Sequence, residues 1–224
     1  MSDKGKTMVM AAFLADALAL GVHWIYENEK ISENFGRVDT FLDPAPDSYH
    51  TTKRKGEFTH YGDQSFVLLE SIAAKKCFDL SDFSDRWRAL FEDYEGYIDQ
   101  ATRATLSNYD AGKAVENAGS SSDELAGASR MAPLVYCDYQ DPVKLVKDVR
   151  AQTVMTHGDP LTVDSAVFFA LVARLVLMGN SPIEALKQVT AERFANTTLS
   201  RWVSDGLASK DKESVSVILN FGQT

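Results

Sequence analysis

Residues 159–182, DPLTVDSAVFFALVARLVLMGNSP, decide the fold class. Asp159-Pro160 sets a capping carboxylate ahead of a proline whose fixed φ suits the first helical position. Val163, Val167, Ala170 and Leu171 follow at helical spacing and mark a core face. Gly179-Asn180 supplies the left-handed residue that ends the helix begun at Leu161. Ser181-Pro182 then opens the next helix, and Asp141-Pro142 uses the same device upstream, with Val143 and Val146 as its apolar positions.

Helical signals continue outward from this stretch. Nearly every residue from Met8 to Leu20 is apolar, which predicts a helix covered on most sides, with Asp16 as its one ionisable group. Phe66, Leu69, Ile72 and Ala73 return at helical spacing, and Phe83, Trp87, Leu90, Phe91, Tyr94 and Ile98 give a further apolar stripe. Residues 27–62 read as a long irregular connection, with Pro44, Pro46, Gly36, Gly56 and Gly62 among many polar residues. Connections of that length inside compact domains are usually functional. No run of alternating strand residues, hairpin dipeptide or fixed-period repeat interrupts the pattern. Gly119-Ser120-Ser121-Ser122 is too short to link domains. The prediction is a single all-α domain over residues 1–224. Val215 to Phe221 reads as the opening of another core element, so the domain is expected to be cut short at its C-terminus.

Composition bounds the function. Of 224 residues, 45% are hydrophobic and 25% charged, and 32 acidic against 23 basic side chains leave a net charge of −9. An acidic protein lacks the field that draws phosphate backbones, so sequence-independent nucleic-acid binding is excluded, although a nucleotide-sized ligand held by local donors is not. Cys77 and Cys137 have no metal-type spacing and lie among apolar neighbours, which predicts two buried free thiols in a reducing cytoplasm. The apolar run near the N-terminus loosely imitates a signal peptide. Asp16 interrupts it, the bulky His23-Trp24-Ile25-Tyr26 follows it, and it falls short of the ~18 residues a spanning helix needs. A cytoplasmic protein without a membrane partner is expected.

Four groups of residues could carry chemistry. Asp16 is costly to bury unless paired. His23 lies two turns along the same helical face if the helix continues, making an Asp–His pair that could be catalytic or a structural tie. Gly56-Glu-Phe-Thr-His-Tyr-Gly-Asp-Gln-Ser65 is a polar loop running into a helix. Asp63 could cap that helix, or it could join Ser65 and Thr59 as oxygen ligands of a hard cation. Leu125-Ala-Gly-Ala-Ser-Arg-Met-Ala-Pro-Leu134 has small residues, Gly127, Ala128 and Ser129, that allow either a close phosphate approach or close helix packing. His157, in Thr156-His-Gly-Asp-Pro160, could contact a ligand or fasten its loop.

In this order the four groups resemble the ADP-ribosylglycohydrolase family over roughly residues 8 to 200. The family includes dinitrogenase reductase-activating glycohydrolase and the ADP-ribosyl-acceptor hydrolases. The resemblance implies an orthogonal multi-helix bundle, two Mg2+ or Mn2+ ions, and hydrolysis of the bond joining ADP-ribose to an acceptor. Asp16 matches the aspartate of the family's Gly-Asp-Ala-Leu-Gly motif. Asp63 matches the second aspartate of Thr-Asp-Asp-Thr, with Gly62 at the first. Gly127, Ala128 and Ser129 correspond to the stretch against ADP-ribose, and His157 to the histidine of Thr-His-Pro. His23 falls where many active members carry glutamate, and the distal Asp-x-Asp-Thr motif lies beyond Thr224. The resemblance therefore implies a divergent member with an incomplete two-metal site. Asp16, His23 and Asp63 are its catalytic candidates, and ADP-ribose or an ADP-ribosylated acceptor is its partner. The alternative is a degenerate member that binds a nucleotide-like ligand, or serves a crystallin-like structural role, without turnover. Apolar surface left by the early end is expected to favour self-association.

Overall fold

The computed structural model describes residues 3–221. The expected all-α class holds, since the described residues form twelve α-helices, and two β-bridge partners, Ser120 and His157, make one isolated bridge. The helices are α1 (Asp3–Ala19), α2 (Asn28–Asn34), α3 (His60–Lys75), α4 (Leu80–Leu90), α5 (Gln100–Asp110) and α6 (Ala126–Ser129). They continue with α7 (Ala132–Asp138), α8 (Pro142–Val154), α9 (Pro160–Leu177), α10 (Pro182–Arg193), α11 (Thr198–Ala208) and α12 (Ser214–Phe221). The chain divides after Ala170 into two compact units.

Local chemistry sets the helix starts. The Asp141 side chain accepts from Val143 N and Lys144 N ahead of α8, and Asp159 accepts from Thr162 N ahead of α9. Ser181 and Glu184 form a reciprocal capping box before α10, closing orphan donors at both positions. Past the end of α9, Gly179 adopts φ +108° and Asn180 N bonds back to Leu175 O, the left-handed stop expected there.

In the first unit α3 packs on α4, while α7 lies against α1, α3 and α8. Phe83 and Trp87 of α4, Leu68 of α3, Leu134 of α7 and Leu145 of α8 are essentially sealed from solvent. Burial of side chains this size contributes about 1.5–3 kcal/mol each. Trp87 Nε1 donates to Gln64 Oε1 at 2.7 Å, so the largest core ring carries no unmet donor. In the second unit α10 packs on α11 through Ala185, Val189 and Leu199.

Several sequence expectations are corrected. α1 is covered on one face only: Val9, Phe13 and Ala17 repeat every four residues and are buried, while Met10 and Leu14 on other faces are 68% and 57% exposed. Apolar composition gave the helix but could not say which stripe packs. With its 3-10 extension to Val22 this segment reaches 20 residues, so its length is that of a membrane span, as is that of α9. The irregular connection contains α2 and ends at Thr59, since α3 already starts at His60. The aromatic stripe from Phe83 breaks at Phe91, where α4 stops. Cys77 is exposed, because it follows the left-handed end of α3 at Lys76, and Cys137 is half-buried.

Candidate functional site

Thr59 is the hinge of the site. Its hydroxyl caps α3 by accepting from Tyr61 N at 3.1 Å, so the capping role considered for Asp63 falls to Thr59, and Asp63 sits within the first turn. Thr59 also reaches across to α1. Its amide donates to Asp16 Oδ2 at 2.8 Å and its hydroxyl to Asp16 Oδ1 at 2.7 Å. Burial pushes the Asp16 carboxyl above the usual carboxylate range; the Thr59 donors oppose that push and the Asp63 charge adds to it.

Gly62 packs directly beneath this pair. A Cβ there would collide with the Asp16 carboxylate and stand 2.7 Å from Phe58 Cβ, so the position has no room for a side chain. Asp63 faces elsewhere. Its Oδ2 accepts from Lys53 Nζ at 2.6 Å and from the Tyr94 hydroxyl at 2.5 Å. Burial and this contact both raise the Tyr94 phenol well above its ordinary value. Ser65 donates to Tyr61 O at 3.0 Å, a bond within its own helix.

A cavity of about 270 Å3 opens beside these groups. Phe13, Asp16, Gly62, Ser65, Ser129 and Arg130 line it, so three of the sequence's candidates, Asp16, Ser65 and Ser129, meet on one concave surface. The lining does not include Asp63, Gly127, Ala128 or His157. Gly127 and Ala128 are buried in α6, where a Cβ on Gly127 would stand 2.8 Å from His157 Nδ1. His157 therefore lies beneath the small-residue stretch. Its Nδ1 contacts Thr156 Oγ1 at 2.9 Å, and the Ser120 bridge fixes its backbone. Burial and the nearby Arg130 charge lower His157 to about 4.

Arg130 closes the back of the cavity. It is buried yet meets neutral partners: Nε donates to Gln152 Oε1 at 2.6 Å, Nη1 to Gln64 Oε1 at 2.8 Å and Nη2 to Thr156 Oγ1. Burial lowers the guanidinium to about 10, against an opposing pull from the Asp99 charge.

Asp16 and His23 do not form the pair suggested by helical spacing. α1 ends at Ala19, a 3-10 turn spans Leu20–Val22, and His23 continues in extended conformation, so the two-turn register is lost. His23 instead meets His50, Nδ1 to Nε2 at 2.7 Å, and its ring centroid lies 5.9 Å from that of His60. His60 Nε2 is 3.2 Å from Asp99 Oδ2, close enough to pair but off the line of a well-formed hydrogen bond. Burial and the charges of the other imidazoles lower His23 to about 3; burial, His60 and Lys53 lower His50 to about 4. Asp99 is raised by burial, but His60 and the donors of Thr102 outweigh this and hold it at about 2. Sequence reasoning passed over His50 and His60; a chain of four histidines with two flanking one polar connection carried the only signal.

The family is established by comparison with known proteins. A model of the ADP-ribosylglycohydrolase family matches residues 1–219, and the chain belongs to that family. Among curated relatives, crystallin J1A of Tripedalia cystophora is 26% identical over 203 residues, covering 84% of this chain and 62% of that protein. An uncharacterized protein of Archaeoglobus fulgidus is 29% identical over 192 residues, covering 84% of this chain and 61% of its own length. The chain thus spans about three-fifths of these relatives. A solved structure described as an ADP-ribosylglycohydrolase-related protein complex superposes with a TM-score of 0.72 at 26% identity, covering 91% of this chain and 67% of that one. The all-α fold is the family's fold.

Members of the family typically depend on metal, and the oxygen donors expected to hold Mg2+ or Mn2+ here do not fit that role. Asp63 is already neutralised by an ammonium at 2.6 Å, Thr59 donates its proton to Asp16, and Gly62 brings no carboxylate and could not accept one. With these donors alone, two hard cations would face too little negative charge.

Proposed function

We propose that this chain binds the ribosyl end of an ADP-ribose-class ligand in the Asp16–Ser129 cavity, without two-metal hydrolysis. One observation carries the reading: the carboxylates and hydroxyls that a paired-metal centre would use are committed to protein partners, while the cavity at Asp16 stays open. Its volume of about 270 Å3 lies just under the range of about 300–1,000 Å3 common for small-molecule sites, which suits a ribose and its acceptor atom rather than a whole dinucleotide-like ligand. Ser65 and Ser129, whose protons go to Tyr61 O and Ala126 O, would accept from sugar hydroxyls through their oxygen lone pairs. Asp16 would accept from a ribose hydroxyl through a lone pair that Thr59 leaves free.

Calorimetry with ADP-ribose on wild type, Ser129→Val and Asp16→Asn tests this reading. Binding should be measurable without Mg2+ and weaken at least about tenfold in each variant, as expected when a polar contact to a buried ligand is lost. Wild type should release no ADP-ribose from an ADP-ribosylated arginine substrate at any Mg2+ concentration. Metal-dependent turnover would overturn the proposal. A crystallin-like structural role is the second reading, favoured by the similarity to crystallin J1A. It expects no ADP-ribose binding at all.

A further inference from the structure

We propose that His23, His50 and His60 form a binding site for one borderline divalent cation of the zinc class. One ring nitrogen from each lies within 4.8 Å of those of the other two. Three imidazoles on tetrahedral zinc, with bonds of about 2.0–2.1 Å, hold their nitrogens roughly 3.3 Å apart. The His23–His50 pair at 2.7 Å would open slightly and the longer separations, within 4.8 Å, would close by up to about 1.5 Å, which rotation of the rings can supply.

Burial argues for an occupant. His50 and His60 are 0% and 1% exposed, and His50 Nδ1 with both nitrogens of His60 are buried without a hydrogen-bond partner. Buried polar atoms in folded proteins are nearly always satisfied, so three unmet nitrogens on two neighbouring buried rings are unusual. Imidazole nitrogen also selects the ion. It suits Zn2+, Co2+, Ni2+ or Cu2+ and does not suit Mg2+, which prefers oxygen. The carboxylate beside His60 Nε2 completes the pattern. Asp99, as a positioning residue, would keep a proton on that nitrogen and turn Nδ1 toward the ion, as carboxylates commonly do behind metal-bound histidines.

The surroundings fit a built site rather than an accident of packing. The three ligands come from three stretches: the end of the 3-10 turn, the irregular connection and the first residue of α3. Trp24, next to His23, is held at φ +65°, rare for a bulky residue, with its ring against Tyr49 and Tyr97. Strain of this kind persists where surrounding structure enforces it, often at functional sites. A second cavity, of about 320 Å3 and lined by His23, Trp24, Ser48 and Tyr49, reaches one ligand from outside. Three protein ligands with such an approach leave a fourth position for water or a small anion. None of the three histidines lines the cavity at Asp16, and the proposal does not depend on what that cavity binds.

The test uses the full chain stripped with chelator, then dialysed against Zn2+ alone or Mg2+ alone, with bound metal counted by mass spectrometry. We expect one Zn2+ and no Mg2+ retained per chain, a higher melting temperature with Zn2+, and, with Co2+, the visible absorption of a four-coordinate nitrogen-rich site. His50→Gln, in the irregular connection, should weaken Zn2+ uptake at least about tenfold while circular dichroism stays native. His157→Gln, away from the trio, should leave uptake at one per chain. If His50→Gln fails to fold, the Co2+ spectrum of wild type decides. Zinc uptake well below one per chain, uptake undiminished in folded His50→Gln, uptake lost in folded His157→Gln, or a six-coordinate oxygen-type Co2+ spectrum would each overturn the proposal.

Discussion

Replacing Gly62 with alanine should destabilise the protein, even though alanine is the better helix former. In an unencumbered helix interior the exchange gains about 1 kcal/mol. At this position the new methyl would overlap the Asp16 carboxylate and crowd Phe58. The Phe58 Cβ, anchored close to the backbone, cannot retreat far, so Asp16 must swing away. It then gives up the bonds from Thr59 N and Thr59 Oγ1, each worth about 1.5–3 kcal/mol when the acceptor is charged. Some of that is recovered from water in the adjoining cavity. After the helical gain is subtracted, the net cost is about 2–4 kcal/mol, or roughly 5–15 °C in melting temperature for a chain this size. Urea denaturation followed by circular dichroism measures it directly. In an Asp16→Ala background the same glycine change should cost at least about 1 kcal/mol less, since the colliding group is gone. A Gly62→Ala protein as stable as wild type, or more so, would refute the packing argument. So would equal costs in both backgrounds.

Further outcomes follow from the same geometry. Gly62→Asp, which restores the family's residue, should fail to create stoichiometric Mg2+ binding by equilibrium dialysis and should destabilise at least as much as the alanine. His157 is held neutral, from an ordinary 6.5 down to about 4, so on acidification the unfolded chain takes up a proton that the folded one refuses. Stability due to this group is complete above pH 6.5 and falls by up to about 3 kcal/mol as pH drops toward 4. His157→Gln should lose correspondingly less between those pH values in chelator-treated urea titrations, because His23 and His50 contribute equally to both proteins. Arg130→Met keeps the volume and removes a costly buried charge, leaving Gln152 Oε1 as the main unmet acceptor. It should lie within about 2 kcal/mol of wild type, whereas Arg130→Ala, which opens a hole, should cost about 3–5 kcal/mol by the same assay.

What could be read from the sequence was whatever depends on near neighbours. Asp141, Asp159 and Ser181 each cap the helix that begins with the next residue, and the Gly179 stop is equally local, so pattern and chemistry coincide there. The order of the family's motifs was legible for the same reason. The site was legible only in part. Asp16, Ser65 and Ser129 line one cavity while Asp63, Gly127, Ala128 and His157 do not, and the spacing of Asp16 and His23 assumed a helix that ends four residues before His23. The exposed stripe on α1 was unreadable because Met10 and Leu14 are as apolar as the buried Val9 and Phe13. Which side packs is settled by α3 and α7, not by α1. The histidine trio is a meeting of distant segments, and no local pattern announces it.

The tie between Asp16 and Thr59 also has a place in time. It joins residues 43 positions apart, and the Arg130–Gln64 contact joins residues 66 apart. Helices α1 and α3 can each flicker into existence in well under a millisecond, but closing a segment of that length carries an entropy cost that only the assembled core repays. The tie is therefore expected to form after the folding transition state, with its loss felt in the reverse reaction. Asp16→Asn should leave the refolding rate nearly unchanged and shorten the lifetime of the native state, so a contact at the lip of the cavity works as a latch on unfolding.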